Sequence, residues 1–226
     1  MSDDRAQILA AIRASLGRSA NEAEAAVDAR LADPRPNLVP ARAQVDSGAQ
    51  VALFVAMAEE ASATVARVAR ADDVPQAVAG YLAEHNLPAE AVIAPDPALD
   101  ALPWESAPLL ELRKGRAQGP DAVGITGAFA GVAETGTLML LSGPEHPSTL
   151  HSLPDTHIVV LRRDRVVGAY EDGWARLRAR AKGMPRTVTF VTGPSRTADI
   201  EQTIQLGAHG PRRLHIVLVD GAAQDA

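Results

Sequence analysis

The chain has 226 residues, enough for one large domain or one domain with a small appendage, and 46% of them are hydrophobic, enough for a sizeable core. A formal net charge of -6, with no Lys/Arg block able to track a phosphate backbone, argues against nucleic acid as a partner, and 3% aromatic residues leave little for base stacking. The absence of cysteine excludes disulfide chemistry and a thiolate-ligated iron–sulfur cluster within this chain, and no redox cofactor fingerprint is evident.

In chain order, residues 3 to 16 place Ile8, Leu9, Ile12 and Leu16 at helical spacing, with Gly17 where a helix would stop. This opening is amphipathic and not a secretory leader, and no apolar run approaches the roughly 20 residues of a membrane helix, so a cytoplasmic protein is expected. An Ala-rich helix over 21 to 32 follows. The stretch ADPRPNLVPARAQVDSG then reads as a linker, because its prolines remove backbone donors. Residues 1 to 47 are therefore expected to form N-terminal helices plus a Pro-rich linker, an arm suited to pack on the body, on another copy or on a partner.

From residue 48 to 222 the pattern alternates between helical pieces (GAQVALFVAMAEE, DVPQAVAGYLAEHN, EDGWARLRARAKG) and short β-branched runs (TVARVA, THIVVL, TVTFV, RLHIVLV). Such alternation predicts an α/β domain with helices flanking a largely buried sheet. A further helix is expected over about 197 to 206, capped by Gly207.

Two segments carry most of the chemistry, GITGAFAGVAETGTLMLLSGP at 124 to 144 and TFVTGPSRTADIEQTIQLGAHGP at 189 to 211. Each runs from an apolar stretch into a turn rich in Gly, Ser and Thr, as a strand does when it delivers N–H groups and hydroxyls to a ligand. Glu134 sits between apolar neighbours, with Gly136 allowing close approach and Thr126, Thr135 and Thr137 offering hydroxyls. Its structural alternative is to accept hydrogen bonds from a turn or to pair with a buried Arg. Gly193, Ser195, Arg196, Thr197 and Asp199 lie where the expected helix would begin, a place that favours a carboxylate or phosphate. There Ser195 or Thr197 would equally serve as a helix cap. His209 is a candidate general base or, alternatively, a capping residue.

The cluster Glu145, His146, His151, Asp155 and His157 lacks a metal-ligand spacing, and Pro147 and Pro154 interrupt any helix that would align it, so no metal site is expected. His157 is read as starting the IVVL strand with a hydrogen bond to the loop, and His151 as polar lining near a pocket.

Four motifs in order, AETGT at 133 to 137, LPDTH at 153 to 157, GPSRTADIE at 193 to 201 and GxHGP at 207 to 211, resemble the LUD domain, the domain of the lactate utilization protein C family. The resemblance extends from Gly119 to Asp220. It implies a fold like that of CoA transferases and ribose-5-phosphate isomerase (NagB/RpiA/CoA-transferase-like), and participation in the oxidation of L-lactate to pyruvate. It also implies iron–sulfur lactate utilization subunits as partners, which would carry the electrons that a Cys-free chain cannot. A small carboxylate or phosphate-containing ligand and a homo-oligomer fit the same picture. The alternative is a CoA-transferase-type enzyme in which Glu134, presented by an E-x-G element similar to that of the CoA-transferase fold, is the nucleophile.

Overall fold

The computed structural model describes residues 2 to 17, 20 to 181, 183 to 198, 204 to 207 and 209 to 221. The chain divides into two compact units, Met1–Leu38 and Val39–Ala226. The first holds two helices, α1 (Ser2–Leu16) and α2 (Ala20–Ala32). The second begins inside the Pro-rich stretch. Ala41–Ala43 forms one 3-10 turn, Ala43 is buried, and Gly168 lies so close to the Ala43 carbonyl that a Cβ there would come within 2.3 Å of it. The later half of the presumed linker is thus part of the larger unit.

Asp46 starts α3 (Ser47–Glu60) by accepting from the N–H groups of Gly48 and Ala49. Strand β1 (Thr64–Val68), helix α4 (Val74–Glu84), β2 (Glu90–Ile93), the short α5 (Pro97–Asp100), β3 (Glu111–Lys114) and β4 (Val123–Gly127) follow. A hairpin of β5 (Ala130–Val132) and β6 (Thr137–Leu141) comes next, then β7 (Thr156–Arg162), β8 (Val166–Val167) and α6 (Tyr170–Arg178). The remaining strands are β9 (Val188–Val191), β10 (Arg196–Ala198), β11 (Ile204–Leu206) and β12 (Arg213–Val219).

Six strands form a parallel sheet in the order β1-β12-β7-β4-β2-β3. Period-two alternation assigns its faces. Ile158 of β7 and Val217 and Val219 of β12 pack with Val74, Val78 and Leu82 of α4. Val159 and Leu161, with Leu214, Ile216 and Leu218, pack with Val51, Phe54 and Ala58 of α3. Both faces being covered explains why these strands read as continuous apolar runs.

A second sheet, β8-β5-β6-β9, lies beyond α3. Leu138 and Leu140 of β6 face the α3 side, while Met139 and Leu141 join Leu177 of α6 on the other.

One expectation is corrected. The segment after Ser195 does not open a helix: residues 196 to 198 pair antiparallel with 204 to 206, and Gly207 follows a strand. The turn is tied from both sides, Ser195 N–H donating to Pro211 O at 2.8 Å and Gly207 N–H to Ser195 O at 3.0 Å. Long-range backbone pairing, Thr197 with Gln205 and Ala198 with Ile204, prevails over local helix propensity. Residues 196 to 198 therefore offer an anion strand backbone in place of a helix N-terminus, and Asp199 lies outside the described residues.

Candidate functional site

The β5–β6 turn carries Glu134, Thr135 and Gly136. Glu134 is 7% exposed, and its Oε1 accepts the N–H of Tyr170 at 2.9 Å, the first residue of α6. A carboxylate at that end meets unpaired N–H groups and the positive end of the helix dipole. Thr135 and Thr137 share a hydroxyl network: their Oγ1 atoms lie 2.7 Å apart, both reach the Tyr170 hydroxyl, at 3.0 and 2.9 Å, and Thr137 Oγ1 lies 2.6 Å from that of Thr192. The network joins the AETGT turn to the VTGPSR turn through side chains.

Gly136 and Gly193 both have positive φ, 63° and 71°. A Cβ on Gly136 would meet Ala58 N at 2.2 Å, and one on Gly193 would meet Ala61 O at 2.0 Å. The two functional-looking glycines therefore seat their turns against the carboxyl end of α3.

Beside the second turn lies a cleft of about 550 Å³, at the amino ends of β7 and β12. It is lined by the 3-10 turn Ser148–His151, by His157, by residues 189 to 196 and by 209 to 211. His157 is fully buried, with Nε2 2.8 Å from the buried Thr126 Oγ1 on neighbouring β4. Its ring lies 5.7 Å from that of His151. Burial, reinforced by the neighbouring His151, pushes the pKa of His157 down to about 3, and burial with nearby His146 pushes that of His151 down to about 4. Both rings are neutral at neutral pH.

Among the described residues, the buried Nδ1 atoms of His151 and His157 and the hydroxyls of Thr149 and Thr156 have no hydrogen-bond partner. Such groups are costly when isolated, and those of Thr149, His151 and His157 line one cleft, marking where a polar ligand or ordered water completes the bonding. A Thr126 hydroxyl that donates to Nε2 leaves the His157 proton on Nδ1, available to a ligand oxygen. Arg196, exposed on the rim, donates to Ala61 O at 3.4 Å and to Ser62 Oγ. Gly210 packs on Ser195, where a Cβ would be 3.3 Å from the serine Cβ, and exposed His209 lines the same opening.

Gly193, Ser195, Arg196 and His209 are thus brought together, Thr126 reaches the cleft through His157, and Thr137 reaches it through Thr192. The backbone of Thr197 continues from the lining into β10. Glu134 does not line the cleft and does not share it with His209. The unpartnered Thr149 and Thr156, and Thr192 and Tyr170 of the network, escaped sequence reasoning. Thr192 could have been found by its place beside Gly193, whereas Tyr170 lies far along the chain from the turn it completes. Among the described residues, no three metal-ligating side chains gather in one place.

A parallel six-stranded sheet, a second sheet across one helix and a polar cleft between strand ends define an α/β protein with a ligand-sized site. The LUD domain model matches residues 51 to 219, and the chain belongs to that family. An uncharacterized protein of Neisseria meningitidis serogroup B is 41% identical over 96 residues, 42% of this chain and 41% of that protein. Lactate utilization protein C of Geobacillus thermodenitrificans is 36% identical over 100 residues, 43% of this chain and 42% of that protein. The protein of the same name from Deinococcus radiodurans is 37% identical over 100 residues, 44% of this chain and 46% of that one. Each of these matches spans less than half the relative's length. A crystal structure of a DUF162 family protein from Deinococcus radiodurans superposes with TM-score 0.57 at 22% identity, over 77% of this chain and 99% of that chain, a likeness of fold.

Proposed function

We infer that this chain is a component of an L-lactate utilization system and binds a small carboxylate, lactate or its oxidation product, in the histidine cleft. The observation that carries this reading is the set of unpartnered buried polar atoms of Thr149, His151 and His157 around one opening. A hydroxy or keto acid presents several oxygens on a small frame, which suits neutral imidazoles and hydroxyls, and Arg196 on the rim supplies positive charge for the carboxylate. The names borne by the Geobacillus and Deinococcus relatives support lactate as the context. With no cysteine in the chain, the electrons leave through iron–sulfur partner subunits. The CoA-transferase-type alternative has weaker support, because the Glu134 carboxylate accepts the Tyr170 N–H and does not line the cleft.

Affinity purification of the tagged chain from lactate-grown cells tests the assembly. Co-eluting iron–sulfur subunits, identified by mass spectrometry and visible absorbance, are expected, and a colourless, partner-free eluate overturns it. Calorimetric titration of the purified chain with L-lactate and pyruvate tests the cleft. Binding of one or both is expected, weakened roughly tenfold by His151→Ala through loss of one charge-assisted hydrogen bond.

A further inference from the structure

A second cavity, of about 710 Å³, opens at the other end of the parallel sheet. Its walls come from residues that follow β1 (Arg70, Asp72), β2 (Asp96 to Leu102), β4 (Ala128, Phe129) and β12 (Gly221), and from the end of β7. Parallel sheets present ligands at the carboxyl ends of their strands, where successive loops diverge and leave a crevice. The histidine cleft lies at the amino ends, so the two sites are separate.

The charge of this second cavity is uneven. Four arginines line it, against two aspartates. Arg70 is spent on Asp72, 2.8 Å away, and Arg162 makes a two-pronged bond to Asp164 at 3.0 and 2.8 Å. Asp96 is occupied as the cap of α5, accepting from Ala98 N at 2.9 Å. Arg165 and Arg180 remain. Both are half-buried, and neither reaches a carboxylate within ion-pair distance among the described residues. Arg180 instead stands 5.5 Å from the centre of the Phe129 ring. Arg176, just behind, has its pKa lowered by burial and by the neighbouring Arg165, as expected where cations outnumber their counterions.

The rest of the wall is apolar. Leu99, Leu102, Leu141, Val160 and Val219 contribute, and the volume falls in the range of roughly 300–1,000 Å³ that holds cofactor-sized ligands. Planar guanidiniums that reach no carboxylate among the described residues, set beside an aromatic ring and an aliphatic wall, match one ligand chemistry: an anion with several oxygens joined to an apolar or planar body. A monocarboxylate the size of lactate would satisfy one arginine and leave most of the cavity empty.

We propose that this cavity at the carboxyl ends of the parallel strands is a binding site for a nucleotide-sized phosphorylated ligand, with Arg165 and Arg180 holding the phosphates and Leu99, Leu102, Val160 and Val219 covering the organic portion. The proposal stands apart from the lactate reading and uses none of the residues of the histidine cleft.

The test is calorimetric titration of the full chain with ADP and, separately, with inorganic pyrophosphate, at low ionic strength, for the wild type and for Arg165→Ala and Arg180→Ala. ADP is expected to bind roughly tenfold more tightly than pyrophosphate, since only it uses the apolar wall, and each variant should weaken both by about tenfold. Heat melts of the variants, and the uncharged Leu102→Asn as a second route to lowering ADP but not pyrophosphate affinity, separate a lost contact from a lost fold. No binding of either probe, equal affinity for the two, or affinities untouched in well-folded arginine variants overturns the proposal. His151→Ala should leave ADP binding as it is, so failure here is distinguishable from failure of the lactate site.

Discussion

At the scale of single residues, the AETGT turn shows how a motif that reads as chemistry can do structural work. Gly136 combines positive φ with a backbone–backbone approach to Ala58 that no side chain fits. Gly136→Ala is expected to cost at least about 2 kcal/mol of unfolding free energy in urea, more than the usual glycine-to-alanine effect, because strain and clash add. Glu134 is expected to give a graded series. Glu134→Gln keeps an acceptor for Tyr170 N–H and should lose only about 0.5–1 kcal/mol of charge–dipole interaction, whereas Glu134→Ala should lose about 1–2 kcal/mol. The same urea titration checks both, and equal losses in the two variants would mean that the carboxylate does not cap α6.

At the scale of elements, α3 is the piece on which both glycine turns are seated. Its apolar side supplies Val51, Phe54 and Ala58 to the core, while its carboxyl end receives Gly136 and Gly193. The cap at its other end is Asp46, whose Oδ1 takes two backbone N–H groups at 2.9 and 3.0 Å. Asp46→Ala should lower stability by about 1 kcal/mol, read as a shift of the denaturant midpoint without change in its slope, and Asp46→Ser should restore most of it. The β10–β11 hairpin is the element that sequence reasoning assigned to a helix. Residues 197 to 206 contain good helix formers, and no local rule announces that Ser195 will exchange backbone bonds with Pro211 and Gly207. Those bonds exist because β12 returns the chain to β7, which brings Pro211 beside Ser195.

At the scale of the whole molecule, the buried histidines make stability depend on pH. His151, His157 and His215 lie on different elements, and burial pushes their pKa values down to about 4, about 3 and about 4. Each is neutral in the folded chain and protonates more readily when unfolded, at a pKa near 6.5. The unfolded state therefore binds more protons below that pH, and stability is present in full above about pH 6.5 and lost as pH falls toward 4. At pH 5 the loss should be about 2 kcal/mol per histidine. Urea titrations between pH 7.5 and 5 are expected to show this fall, and a stability that stays level or rises toward pH 5 contradicts it. Replacing His157 by Gln should flatten the curve even though it weakens the protein at pH 7, because the proton-binding difference disappears with the ring.

The sequence alone determined the class of fold, since apolar runs with β-branched residues between amphipathic segments have few solutions other than a covered parallel sheet. It also shows that this chain offers no thiolate ligand, because that needs cysteine. His151 was legible as polar lining near a pocket, Thr126 as a hydroxyl offered to a ligand, and Gly136 as a point of close backbone approach. Only the tertiary structure decided what each of them does. It turned Glu134 toward α6, joined Thr137 to Thr192, seated the two glycines on α3 and opened arginine-lined space at the far end of the sheet. The physical reason is distance along the chain. Periodicity and turn chemistry act over a few residues, whereas a site is made by contacts between segments tens of residues apart, and these follow from strand order and register.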